Sequence, residues 1–156
     1  MTGTKATTPM QRKLHRAMGL GALIMTAIGW LATVAALAFA GEATLAGVKM
    51  FNLFNIGIQI SFLLVVAITG RIMAINRMKE PAIQRKWRRM GLAVALSLVV
   101  LAPASVYLAL WEKEHMNTSS FIMVQAAELL AGAAVILLLW ANLRDGLALA
   151  RENRAT

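Results

Sequence analysis

Four stretches of this chain run as unbroken apolar blocks: Ala17–Gly41, Met50–Gly70, Met90–Trp111 and Met116–Leu143. The first three hold no charged side chain, and the fourth holds one, Glu128. Their polar positions do not recur at the amphipathic spacing of a helix lying on a soluble core. Each block reaches the roughly 20 residues needed to cross a ~30 Å hydrocarbon layer as a helix. Short connections between the first and second, and the third and fourth, predict antiparallel hairpins. The pattern therefore predicts an all-α integral membrane protein, an up-down four-helix bundle forming one domain over residues 1–156. The spans are placed at about 17–41, 50–70, 90–111 and 119–143. Glu42–Lys49 and Glu112–Thr118 are read as loops on one side of the membrane, and 71–89 as a long basic loop on the other.

Local signals refine the boundaries. Thr8-Pro9-Met10-Gln11 has the form of a capping box with proline at the first helical position, so the first helix starts ahead of its apolar block. Met1–Thr7, small and polar, is expected to be disordered. Pro81 breaks the chain after Glu80 and opens the third helix. Pro103 falls inside the third span, where it frees the carbonyl of Val99 and predicts a kink. Thr118, Ser119 or Ser120 can cap the fourth helix, and 144–156 reads as a fraying charged tail. Gly19, Gly21, Gly29 and many alanines allow close helix approach.

Composition agrees. Of 156 residues, 59% are hydrophobic and 15% charged, against about a quarter charged in soluble domains. There is no cysteine, which removes disulfides, thiolate metal sites and thiol redox chemistry. The net charge of +9 is concentrated in three places: before the first span, in the 71–89 loop, and after the fourth span. By the positive-inside rule this puts both termini and the basic loop in the cytoplasm. Arg12, Lys13, Arg16, Arg85, Lys86, Arg88 and Arg89 are then placed at anionic lipid headgroups, with Trp87 at the interface. The high charge does not point to nucleic acid, since no recognition motif accompanies it. The first block is too long and begins too late for a cleavable signal, so the expected home is a bacterial inner membrane.

Glu128 is the candidate for chemistry. An ionisable group at that depth must be paired, protonated or wetted. Counting ~1.5 Å per residue from a start near Ser119 puts it roughly 13 Å into the membrane, level with Gln59 if the second helix starts at Met50. Asn52, Asn55 and Gln59 share a face, as do Gln125 and Glu128. Trp30, Thr33, Pro103 and Ser105 reach a similar level on the other two helices. A polar layer in one half of the bundle is expected, with Gln59 as the first neighbour to test against Glu128. Such a layer either holds the helices together or binds something through Glu128.

Other candidates are weaker. His15 and His115 fall on opposite sides of the membrane, so they cannot jointly hold one haem or metal within a monomer. The ten methionines are scattered and read as packing. No nucleophile–base pair or carboxylate pair lies within the spans, so no enzyme activity, metal or cofactor is expected.

Lys13-Leu14-His15-Arg16-Ala17-Met18-Gly19 resembles the His-Arg-x-x-Gly opening of small, uncharacterised four-helix bacterial inner-membrane proteins. Glu80–Lys86, followed by Leu101-Ala102-Pro103-Ala104, resembles their Pro-containing basic loop and Leu-x-Pro-Ala span. Relatives often carry His-Lys-Arg in that loop, where this chain has Gln84-Arg85-Lys86. The resemblance covers about a third of the chain and implies no activity. Small multidrug resistance transporters are also four-helix proteins with one membrane glutamate, but theirs lies in the first helix.

These observations favour a non-enzymatic accessory or assembly subunit of a larger membrane complex, of respiratory or photosynthetic type. The alternative is a proton-coupled or lipophilic-ligand binding protein using Glu128, with Gln59, Asn55 and Gln125 orienting the ligand. Haem or pigment binding is a minor third reading.

Overall fold

The structure is a computed structural model that describes residues 8–75, 79–110 and 118–155. The described residues form four long helices: α1 (Pro9–Phe39), α2 (Glu42–Ala74), α3 (Pro81–Leu110) and α4 (Ser119–Ala155). All four are long and apolar enough to cross a membrane. The disorder expected for 1–7, the Trp111 boundary and the 112–117 loop with His115 lie outside the described residues.

Each helix is longer than its apolar block. At the start of α1 the capping box forms as its sequence predicts: the Gln11 amide N–H donates to the Thr8 hydroxyl, and the Thr8 N–H to the Gln11 side chain. Thr118 caps α4 by accepting from the Phe121 N–H at 3.4 Å. The tail after Leu143 continues as helix to Ala155.

The connection between α1 and α2 departs from expectation. Glu42–Lys49 is not a loop; helix resumes at Glu42 directly after Ala40 and Gly41. The segment is rich in alanine, leucine and other residues that tolerate helix well, with Gly41 as an extended cap. Reading its two charges as loop markers ignored that a lysine can sit on the inner face of a helix if a partner meets it. The α2 helix therefore begins about two turns earlier than its apolar block.

In α3 the expected disturbance at Pro103 takes a specific form. Residues Ser97–Leu101 wind as one π-helical turn, and the Ala102 N–H reaches back five residues to Ser97 O. Proline has no N–H, and its ring crowds the carbonyl four residues earlier. A wider turn just before it relieves that crowding.

The helices pack in a ring, α1 against α2 and α4, α3 against α2 and α4. The diagonal pairs make the fewest contacts. One stripe of each helix faces inward at intervals of three and four residues. In α1 it is Ala22, Thr26, Gly29, Thr33 and Ala36. In α2 it includes Lys49, Asn52, Ile56, Gln59, Leu63 and Val66. The inner stripes mix small and polar residues with aliphatic ones such as Leu63, Leu101 and Val135, while many large apolar side chains, among them Leu31, Phe54, Val99 and Leu130, face outward. An apolar exterior of this kind suits a lipid surround, where helices gain nothing by hiding leucine from hydrocarbon and associate through close packing and polar contacts.

Candidate functional site

The predicted polar layer exists. Asn52, Asn55, Gln59, Ser105, Gln125 and Glu128 are all buried, and Trp30 is half-buried beside them. The partner of Glu128, however, is not Gln59. The Lys49 ammonium donates directly to Glu128 Oε2, and both side chains are removed from the surface, at 1% and 8% exposure. Gln125, one turn earlier on α4, donates its Nε2 to the same oxygen at 3.1 Å.

This pair crosses a diagonal of the ring. A glutamate and a lysine together are long enough to meet where the α2 and α4 backbones do not. The charge that needed explaining is neutralised within the chain by a charge of opposite sign. The depth estimate failed because it counted from Met50; with α2 starting at Glu42, Lys49 is the residue at the level of Glu128. Gln59 lies nearly three turns further along α2 and donates instead to Ser97 Oγ on α3, at 3.2 Å. Ser97 in turn donates to Ala93 O.

The remaining bonds tie neighbouring helices. Asn52 donates to Thr33 Oγ1 at 2.8 Å, and Asn55 to Met25 O at 2.9 Å, both joining α2 to α1. The Trp30 indole donates to Leu129 O at 2.9 Å, joining α1 to α4. Two glycines make this approach possible. A Cβ on Gly29 would stand 2.6 Å from Asn55 Nδ2, and one on Gly132 2.9 Å from Trp30 Cδ1. Thus the inner face of α2 bonds to each of the other three helices in turn.

The layer borders a partly open space of about 40 Å³, lined by Thr26, Thr33, Asn52, Asn55, Ser105 and Glu128 among others. Asn52 Oδ1 and Asn55 Oδ1 are buried acceptors without a hydrogen bond. The space is large enough for one or two water molecules, and it has the polar lining that buried water requires. It does not hold a substrate-sized molecule.

A second, larger space of about 420 Å³ lies between α1 and α4, towards the end where α1 finishes and α4 begins. Its walls are Ala36, Leu37, Ala40, Gly41, Leu45, Phe121, Ile122, Gln125, Ala126 and Leu129.

At the opposite end of the bundle lie the basic residues of α1 and α3, and not all are free. Arg12, Lys13, Arg16, Arg85, Trp87 and Arg88 are exposed. Lys86 is half-buried beside Gly146, and Asn142 donates to its carbonyl. Arg89 pairs with Asp145 at 2.7 Å. His15 hydrogen-bonds Thr69 Oγ1 at 2.9 Å, tying the start of α1 to the end of α2.

Sequence reasoning missed Lys49 and Asp145. The signal for Lys49 was present: it precedes Asn52 by three positions and Ile56 by seven, in phase with the polar face of α2. No family model, no curated protein and no solved structure matches this chain.

Proposed function

We propose that this multi-pass membrane protein acts without chemistry of its own, as an accessory or assembly subunit that associates through its helix faces with other membrane proteins. The observation that carries this reading is how the buried polar groups are used. Lysine, tryptophan, asparagine and glutamine donate to groups on other helices, with Glu128 accepting, around a space of only about 40 Å³. An interior so occupied supports a bundle that holds its shape. What remains for recognition is the outside, where large apolar side chains line every helix.

The placement in a bacterial inner membrane, with anionic headgroups at the basic end and a respiratory or photosynthetic complex as partner, belongs to the same proposal. The three basic segments support the headgroup contacts, and the apolar helix faces support association with other membrane subunits.

The test is native extraction in a mild detergent, followed by size analysis and identification of co-purifying chains. A defined set of membrane subunits, lost from the assembly when this chain is deleted, is the expected result. A lone monomer, with every large membrane complex unchanged in the deletion, overturns the proposal.

A further inference from the structure

The two ends of the bundle treat an inward lysine differently. At one end Lys49 reaches across a diagonal of the ring and meets an acid, Glu128. At the other end α3 sends a second lysine inward. Lys86 precedes the buried Met90 and Ala93 by four and seven positions, so it heads the inward stripe of α3. His15 precedes the buried Ala22 by seven and heads the stripe of α1 in the same way. Although α1 and α3 lie on a diagonal, Lys86 is close enough for its charge to act on the imidazole.

No acid completes this second meeting. The His15 ring lies against α2, where it bonds Thr69 Oγ1 at 2.9 Å and where a Cβ on Gly70 would stand 3.1 Å from its Cε1. The side-chain charges that act on the ring are both positive, Lys86 from α3 and Arg16 from α1. The acid whose charge reaches Lys86 is Asp145 of α4, and Arg89 already holds that carboxylate at 2.7 Å. Among the described residues, no hydrogen bond or ion pair reaches the Lys86 ammonium.

That ammonium is both placed and accessible. Gly146 makes room for it, since a Cβ there would stand 3.3 Å from Nζ. The backbone is tied to α4, because Asn142 donates to Lys86 O. Lys86 is half-buried, yet its Nζ keeps a face to the surface, unlike the unpaired amide oxygens of Asn52, Asn55, Gln125 and Asn142, which are sealed. A partly buried cation without an acid needs an anion to offset its lost hydration.

We propose that this mouth of the bundle binds the phosphate group of an anionic lipid, its charge countered by Lys86 and Arg16 beside the His15 ring. A lysine meets phosphate as a compact point charge and needs no fixed fork geometry. The headgroup layer supplies the phosphate: exposed Trp87 and the exposed arginines Arg85 and Arg88 on the same turns of α3 mark that level. Binding here rests on placing the basic end among headgroups and does not require association with other subunits.

The full-length protein, purified in a mild detergent, is titrated with dioleoyl phosphatidylglycerol, and native mass spectrometry counts the lipids bound to each chain. One lipid is expected to bind ahead of the rest. Lys86→Gln is expected to weaken that first event by roughly 10-fold or more. Arg85→Gln, which removes an exposed charge from the neighbouring position, should weaken it by about 5-fold at most. Gly146→Leu leaves every charge in place but crowds the ammonium, so it should weaken the first event as Lys86→Gln does. Circular dichroism of each variant confirms that the bundle is intact.

Equal losses for Lys86→Gln and Arg85→Gln mean diffuse attraction to the basic end, and overturn the site. A Gly146→Leu variant that binds like the parent overturns it too. Displacement of the lipid by an equal concentration of inorganic phosphate assigns the mouth to free phosphate and overturns the lipid occupant. Binding in detergent does not depend on which side of the membrane the basic end faces or on any partner subunit, so its failure is separate from a failure of orientation or of association.

Discussion

Lys49 and Glu128 show why a buried ion pair is not simply a stabilising contact. Removing both charges from water costs several kcal/mol each, and their attraction repays this only when they meet directly. Losing one partner is therefore worse than losing both. Lys49→Met is expected to destabilise the bundle by about 3–5 kcal/mol, since it leaves a carboxylate with only the Gln125 amide for company. Glu128→Leu should do the same by stranding the ammonium. The double variant is expected to be more stable than either single one. Loss of helicity with rising SDS, followed by circular dichroism, measures all three; a double variant whose destabilisation equals the sum of the singles would contradict the pairing. Gly29 gives a second prediction at this scale. A methyl there meets both asparagine amides, so Gly29→Ala should cost about 1–3 kcal/mol in the same measurement.

Among the elements, α2 and α3 depend on each other through one contact that a proline helps to place. The π-turn before Pro103 contains Ser97, and Ser97 receives the Gln59 amide. Interhelical bonds of this kind are worth about 0.6 kcal/mol within membranes. A double-mutant cycle with Gln59→Leu and Ser97→Ala is expected to return that order of coupling. In a Pro103→Ala background the turn can close to α-helix, Ser97 rotates relative to α2, and the coupling should vanish. Persistence of the coupling would show that Pro103 does not set the turn. The legibility of α3 was partial for a clear reason. A proline announces that a hydrogen bond is missing; which neighbouring turn absorbs the change depends on what packs there. For α2, by contrast, the apolar block misplaced the start by two turns, because hydropathy cannot distinguish a charged residue in water from one that meets a partner inside.

At the scale of the whole molecule, orientation is the property most open to test. The chain has no cysteine, so each introduced one reports alone. Thr4→Cys and Gln84→Cys are expected to react with a membrane-impermeant maleimide only after the cells are opened. Gly41→Cys, in open space at the opposite end, should react from outside in intact cells. The reverse pattern would refute the cytoplasmic placement of the basic segments. At the basic end, the Arg89–Asp145 pair is about one-third exposed on both sides and should contribute little, ~0–1 kcal/mol, diminishing with salt.

The amino-acid sequence alone determined that four helices cross a membrane, where three of their boundaries lie, and which polar residues turn inward. These follow from local quantities: length, hydropathy, capping chemistry and spacing along one helix. It also determined that Glu128 needed an answer. Only the tertiary structure decided what the answer was. Lys49 meets Glu128 across a diagonal of the ring, and that meeting depends on the register between two helices that are not neighbours. Register is set by the close contacts at Gly29 and Gly132 and by an α2 that starts early, none of which any single stretch of sequence contains. The same register sets the Gln125 amide against Glu128.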